Sequence, residues 1–252
     1  MNAMLSLNRD NVKMLAKNQL LEEICRGLGK AEPQWSGISR RFKHSPWKKI
    51  FENRRYDLSR LAACVSEIHI RERLEWMARS YEGRVVLDPI QPGEYTPNFF
   101  FRRRYDTLEV LDKDGLIYSE IDGLMRVNAL PVLVEVKLTG RRRRSPTESL
   151  GRSKRGAQMR RTIMNDHITR PSSFGLRHAM SSERVNYLCA PISEYFHQDS
   201  CGYVLVIPPE CISPDSPVQR DFIKRNGLLV PFYADRFTYR QEVLKRKFNG
   251  QL

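Results

Sequence analysis

The chain lacks what several large classes of protein require. No apolar run approaches the roughly 20 residues that cross a bilayer, so no transmembrane helix and no membrane partner are expected. The N-terminus shows no basic region leading into an apolar stretch and a small-residue cleavage site, so no secretion signal is expected. The five cysteines (Cys25, Cys64, Cys189, Cys201 and Cys211) are odd in number and form no Cys-x-x-Cys pair. That argues against a disulfide framework and a zinc ribbon, and fits a reducing cytoplasm. His44, His69, His167, His178 and His197 have no mutual spacing that suggests a zinc site or a histidine-based nuclease. There is no P-loop and no Gly-x-Ser-x-Gly, which leaves nucleotide hydrolysis and serine chemistry without support. Internal repeats and long low-complexity tracts are missing too.

Acidic residues are also scarce relative to basic ones. Lys and Arg number 43 against 29 Asp and Glu, a net charge of +14 over 252 residues. The excess is concentrated. Between Lys137 and Arg161 stand Arg141, Arg142, Arg143, Arg144, Arg152, Lys154, Arg155 and Arg160, with Glu148 as the one acid. Such a cluster is the electrostatic footprint expected for phosphate backbones, and makes nucleic acid the expected partner. Hydrophobic content of 40% is enough for a real core.

The pattern along the chain reads as α/β: a mixed central β-sheet flanked by helices, with a helical N-terminal extension over residues 1–56 and a main domain over 57–252. Residues 9–27 read as a helix terminated by Gly27 and Gly29. Trp35, Phe42, Trp47 and Phe51 then sit among basic residues, either in an extension that touches nucleic acid or in a cap packed on the main domain. Asp57 to Tyr81 reads as a longer helix capped by Asp57 and closed by Gly83. Leu58, Leu61, Ala62, Val65, Ile68 and Trp76 share one broad face of it, and Glu72 falls near the middle of that face with Glu75 on its flank. A carboxylate turned toward a core is costly without a partner, so Glu72 needs an arginine or a metal. Glu67 points to the opposite side.

Strands are expected at Phe99–Leu111, Leu116–Val127 and Val132–Leu138, with turns at Asp112–Gly115 and Asn128–Pro131. Ser145-Pro-Thr-Glu148 is a capping box that should open a helix from about Pro146 toward Ile168. Arg170–Glu183 reads as a loop. Gly202–Ile207, a helix opening at Ser216-Pro-Val-Gln219, and Leu228–Tyr233 form a strand-helix-strand series that suggests a parallel crossover. A basic helical tail follows from about Asp235.

The chemistry is in the hairpin. Alternation puts Glu120 and Asp122 on one face of the first strand, and Glu135 and Lys137 on one face of the second. A hairpin symmetric about its loop sets Asp122 opposite Lys137, with Glu135 as the diagonal neighbour at roughly 7–8 Å between backbones. Two carboxylates held together ask for a cation, and oxygen ligands suit Mg²⁺ or Mn²⁺. An ordinary exposed hairpin bearing Glu–Lys pairs is the plain alternative, but the neighbouring basic cluster makes the combination rarer.

Ser119-Glu-Ile-Asp122-Gly-Leu followed by Pro131-Val-Leu-Val-Glu135-Val-Lys137 resembles the PD-(D/E)xK nuclease superfamily. The resemblance implies a restriction-endonuclease-like fold, with Asp122 and Glu135 as metal ligands and Lys137 as the catalytic lysine. A glutamate on the preceding helix often joins such sites, and Glu72 is the match by helix face, ahead of Glu75 and Glu67. Gln158, with Lys154 one turn earlier, is the weak match to a polar residue on the helix after the lysine. The implied activity is Mg²⁺-dependent DNA endonuclease, with 5′-phosphate and 3′-hydroxyl products and a possible homodimer. An RNA-processing nuclease and a non-catalytic nucleic-acid-binding module are the alternatives.

If the basic run meets phosphate, neutralising Arg141–Arg144 flattens the salt dependence of DNA binding, by up to about 0.9 in log–log slope per charge removed. Titration of a labelled duplex across a salt series checks this, and an unchanged slope removes the run from the interface.

Overall fold

In a computed structural model the described residues are 19–30, 32–45, 48, 58–104, 107–138, 173–225 and 227–252. Three helices come first: α1 (Gln19–Lys30), α2 (Trp35–His44) and α3 (Leu58–Ser80). Six strands follow: β1 (Val85–Leu87), β2 (Phe99–Arg104), β3 (Thr107–Asp112), β4 (Ile117–Ile121), β5 (Gly123–Val127) and β6 (Leu130–Val136). Helices α4 (Ser173–Ala179) and α5 (Ser182–Phe196) lead to β7 (Gly202–Ile207), α6 (Pro217–Lys224), β8 (Gly227–Pro231) and α7 (Arg236–Phe248).

The strands make a five-stranded mixed sheet, in the order β1-β5-β6-β7-β8, and a three-stranded antiparallel sheet, β2-β3-β4. β6, β7 and β8 run parallel, as the strand-helix-strand series implies, while β1, β5 and β6 pair antiparallel. The alternation read from the sequence separates two cores. Val132, Val134, Val136 and Leu138 join the core beneath α1, α2, α3 and α7, whereas Leu133 faces the core shared with the smaller sheet, α4, α5 and α6. The protein is therefore α/β, with helices on both faces of a mixed sheet. Among the described residues no helix is long and apolar enough to cross a membrane.

Several expectations change. Phe99–Leu111 is a pair of antiparallel strands, β2 and β3, rather than one segment. The 116–127 strand is divided at Asp122, where the chain leaves the smaller sheet and joins the larger. The β5–β6 turn is tighter than expected: Val127 pairs with Leu130, and Asn128, at φ 55°, turns the chain. Pro131 is accommodated within β6 because pairing with β7 starts one residue later, at Val132. Residues 173–179 and 182–196 are helical where a loop was expected through Glu183, with the Ser181 side chain accepting the Arg184 N–H as an N-cap. Asp57, residues 9–18 and the helix expected from Pro146 to Ile168 lie outside the described residues.

Helix α3 is buried on nearly every side, with the sheet below it and α1, α2 and α7 above. One-sided helix phasing therefore misjudged it: Trp76 is 47% exposed, with Arg73 over its ring, while Ser66, His69 and Arg71 are buried. Leu20, Leu21, Ile24, Leu28, Ile38 and Phe42 belong to the same core as α3, so the described part of the extension is a packed cap. Gly27 and Gly29 do not end α1. They lie inside it, where a Cβ at Gly29 would stand 2.7 Å from the Pro231 carbonyl oxygen and one at Gly27 would stand 2.6 Å from Met77 Cε. Lack of a side chain is what seats α1 on β8.

Gly29→Ala consequently destabilises the protein by about 1–3 kcal/mol through overpacking, despite the better helix propensity of alanine. Equilibrium urea unfolding measures this, and a stabilised variant would contradict the close approach.

Candidate active site

The crossing point between the two sheets builds the site. Asp122 lies between β4 and β5, and its Oδ2 accepts the Val136 N–H at 2.9 Å. This is the only hydrogen bond Asp122 accepts among the described residues. Gly123 follows it, close enough to Val134 and Leu74 that an added Cβ would stand 3.4 and 3.1 Å away, so the chain can tuck under α3 here.

The hairpin register is shifted by two residues from the symmetric expectation. Gly123 pairs with Val134, so the line of pairs continued one step sets Asp122 opposite Glu135, with Lys137 as the diagonal neighbour. A two-residue shift preserves the face, and the three side chains still converge. Lys137 Nζ stands 2.5 Å from Glu135 Oε1, and the Tyr203 hydroxyl donates to Glu135 Oε2. The Glu135 side chain is only 10% exposed but that of Lys137 is 37% exposed, which leaves the ammonium within reach of a substrate.

Burial pushes the Asp122 carboxyl up to about 6, opposed by Lys137 and assisted by the Glu135 charge. Burial also acts upward on Glu135. There, however, the Lys137 charge and hydrogen bond, the Tyr203 hydroxyl and the Arg184 charge outweigh it and hold the carboxyl below its usual range. Burial acts downward on Lys137, but Glu135, Asp122 and Glu67 together hold its ammonium above the usual value. Lys137 is thus a proton-bearing donor at neutral pH, and Asp122 is the carboxylate whose charge is least compensated.

The helix glutamates separate. Glu72 Oε1 pairs with Arg41 Nε at 3.5 Å, and Gly37 gives it room, since a Cβ there would collide with its carboxylate. Its electrostatic neighbours are Arg41, Glu75 and Arg40; burial is the main cause that raises its carboxyl. The partner this buried acid required is an arginine, and the structure does not bring Glu72 to the Asp122 centre. Glu75 belongs to the same network, paired with Arg41 and with Arg71 at 3.4 Å. Glu67, which the helix wheel placed on the opposite side, is the helix glutamate whose charge reaches Lys137.

No family model, curated protein or solved structure matches the chain.

Arg141, Arg142, Arg143, Arg144, Arg152, Lys154, Arg155, Gln158, Arg160 and Arg161 lie outside the described residues. Among the described residues no group of three or more His, Cys, Asp or Glu is placed to hold a metal ion. The donors at the centre are two carboxylates, which fits a hard cation that keeps most of its waters. Each Glu135 oxygen retains a lone pair beside its hydrogen bond, and a cation at the centre would favour the ionised form of Asp122 against the burial and the Glu135 charge that raise it. The Cys189 thiol, near Glu135, is held well above its ordinary value by a hydrogen bond with Cys201 and by burial, so it stays protonated and is a poor nucleophile.

Tyr203 and Arg184 went unnoticed in the sequence. Tyr203 was legible in principle, since parallel pairing of β7 with β6 puts it on the Glu135 face. Arg184 lay in a stretch of sequence without a strong periodic signal.

An unfolded aspartate titrates near 4, so the unfolded chain gives up its proton before Asp122 does. Ionised Asp122 therefore weakens the fold, an effect absent below about pH 4 and complete above about pH 6. Asp122→Asn in EDTA should match wild type at pH 4 and exceed its Tm by about 5–10 °C at pH 7.5. Added Mg²⁺ should raise the Tm of wild type but not of the variant. A pH-independent difference would show that Asp122 carries no such burden.

Proposed function

We propose that the chain is a Mg²⁺- or Mn²⁺-dependent DNA endonuclease, built on a restriction-endonuclease-like scaffold of the PD-(D/E)xK kind. The observation that carries the reading is the convergence of Asp122, Glu135 and Lys137 where β5 and β6 meet, with a carboxylate pair only partly neutralised by one ammonium. The basic run begins at Arg141, four residues beyond Lys137, so phosphate drawn to it is delivered beside the carboxylates.

Asp122 and Glu135 would hold the metal. When bound, it lowers the pKa of a water and offsets charge on the scissile phosphate. The chain's own residues have divided tasks. Val136 N–H fixes one oxygen of Asp122, and the other accepts no hydrogen bond among the described residues. Tyr203 fixes Glu135 from below and, itself buried, keeps its proton, because burial and the Glu135 charge hold its hydroxyl well above the usual value. Lys137, already protonated, orients the attacking water and donates to a non-bridging phosphate oxygen as charge develops there. It does not begin as the base. Attack in line on phosphorus would leave a 5′-phosphate and a 3′-hydroxyl.

Purified protein should cut DNA with Mg²⁺ or Mn²⁺ and not with EDTA. Lys137→Ala should lose about 100–1000-fold in kcat with binding largely retained. The reading fails if wild type cuts no DNA form that it binds, or if the variant cuts as fast. Equal cleavage of a matched RNA would move the substrate to RNA.

A further inference from the structure

The charge of one guanidinium reaches Glu135, although among the described residues no carboxylate pairs with it. Arg184 is in the first turn of α5, behind the Ser181 cap. Among the described residues its side chain makes no ion pair and no hydrogen bond, yet its charge reaches both Glu135 and Tyr203. Long cationic side chains on a surface usually wander. This one lies with Cζ 5.6 Å from the centroid of the Tyr187 ring, one turn along the same helix. Tyr187 is itself fixed: it stacks on Tyr118 with centroids 4.1 Å apart, and its hydroxyl donates to the Tyr118 carbonyl at 2.5 Å. Tyr118 is on β4, the strand that ends at Ile121, one residue before Asp122.

The fold thus ties a guanidinium, through two stacked rings, to the strand that leads into the first carboxylate. Attraction between the ring face and the cation orients the side chain while leaving its N–H donors free. A planar fork of donors next to an anionic centre is matched to two oxygens of one phosphate, a geometry that lysine cannot reproduce.

We infer that Arg184 is a phosphate-binding catalytic residue of this site, taking non-bridging oxygens of the phosphodiester, and that Tyr187 is the positioning residue that presents it. The inference rests on the nuclease reading for its chemistry, but the phosphate contact can be read without cleavage. The guanidinium would grip the strand opposite Lys137 and share the charge that builds up on phosphorus.

The test uses the full chain and a labelled DNA duplex. Without divalent metal, Arg184→Ala should lower the slope of log affinity against log salt by about 1, with circular dichroism and Tm unchanged. With Mg²⁺ its kcat should fall about 100-fold. Arg184→Lys should restore the salt slope but recover little of kcat. Tyr187→Leu should lower kcat in the wild-type background and add nothing to Arg184→Ala, since it acts through that side chain; Tyr187→Phe should retain most activity. An unchanged salt slope overturns the assignment of Arg184, whether or not the protein cuts. Full rescue of kcat by lysine, or additive losses for Tyr187→Leu and Arg184→Ala, overturns the stacked-guanidinium role. Wild-type protein that binds but never cuts sinks the nuclease reading alone, and the salt slope still decides the phosphate contact.

Discussion

Two sheets share one strand-length of chain, and the residue at the changeover is an aspartate bonded to the backbone of the neighbouring strand. Residues 117–127 could have continued as a single β-strand. Instead β4 keeps its pairing with β3, β5 pairs with β1 and β6, and Asp122 belongs to neither ladder. Its carboxylate receives the Val136 N–H that would otherwise point into an irregular gap. Everything at the site depends on this arrangement. It sets the register of Glu135, aims Lys137 along the same edge, and leaves Glu135 on the face of β6 whose core is shared with the smaller sheet and α5.

The centre is correspondingly expensive for the fold. Glu135 is nearly enclosed and is held ionised against that burial by Lys137, Tyr203 and Arg184, while Asp122 holds its proton more tightly than a free carboxyl. Apolar residues there would cost the fold less, which is the physical argument for reading these side chains as a functional site. Three half-buried acids elsewhere are different. Glu72, Glu75 and Asp88 are absorbed by Arg41, Arg71 and Arg103, which ties α2 and α3 to the loop after β1.

How much of this was legible depended on which physical signal spoke. Strand alternation around 132–138 was strong, and it survived a turn misjudged by two residues because an even shift leaves each side chain on its own face. A one-residue error would have turned Glu135 into the core. The helix glutamates failed for a related reason: phasing presumes one apolar face, and α3 has cover on both sides, so the wheel could not tell a carboxylate facing Arg41 from one near Lys137. Gly27 and Gly29 carry the same ambiguity, since a glycine that ends a helix and one that lets it pack closely look alike in sequence. What tells them apart is Pro231, some two hundred residues away. The parallel pairing of β6 with β7 is likewise non-local, and without it Tyr203 could not be assigned to the site.

Lys137 is the last residue before the chain turns toward the arginine run, and it is pinned on either side. Val136 and Leu138 are both buried, and the Lys137 N–H bonds the Val206 carbonyl oxygen at 2.8 Å. The lysine backbone is thus a clamp between a rigid sheet and whatever follows. On the nuclease reading, the three side chains are then set by the sheet alone, and the length or charge of the segment after Leu138 could change without retuning them.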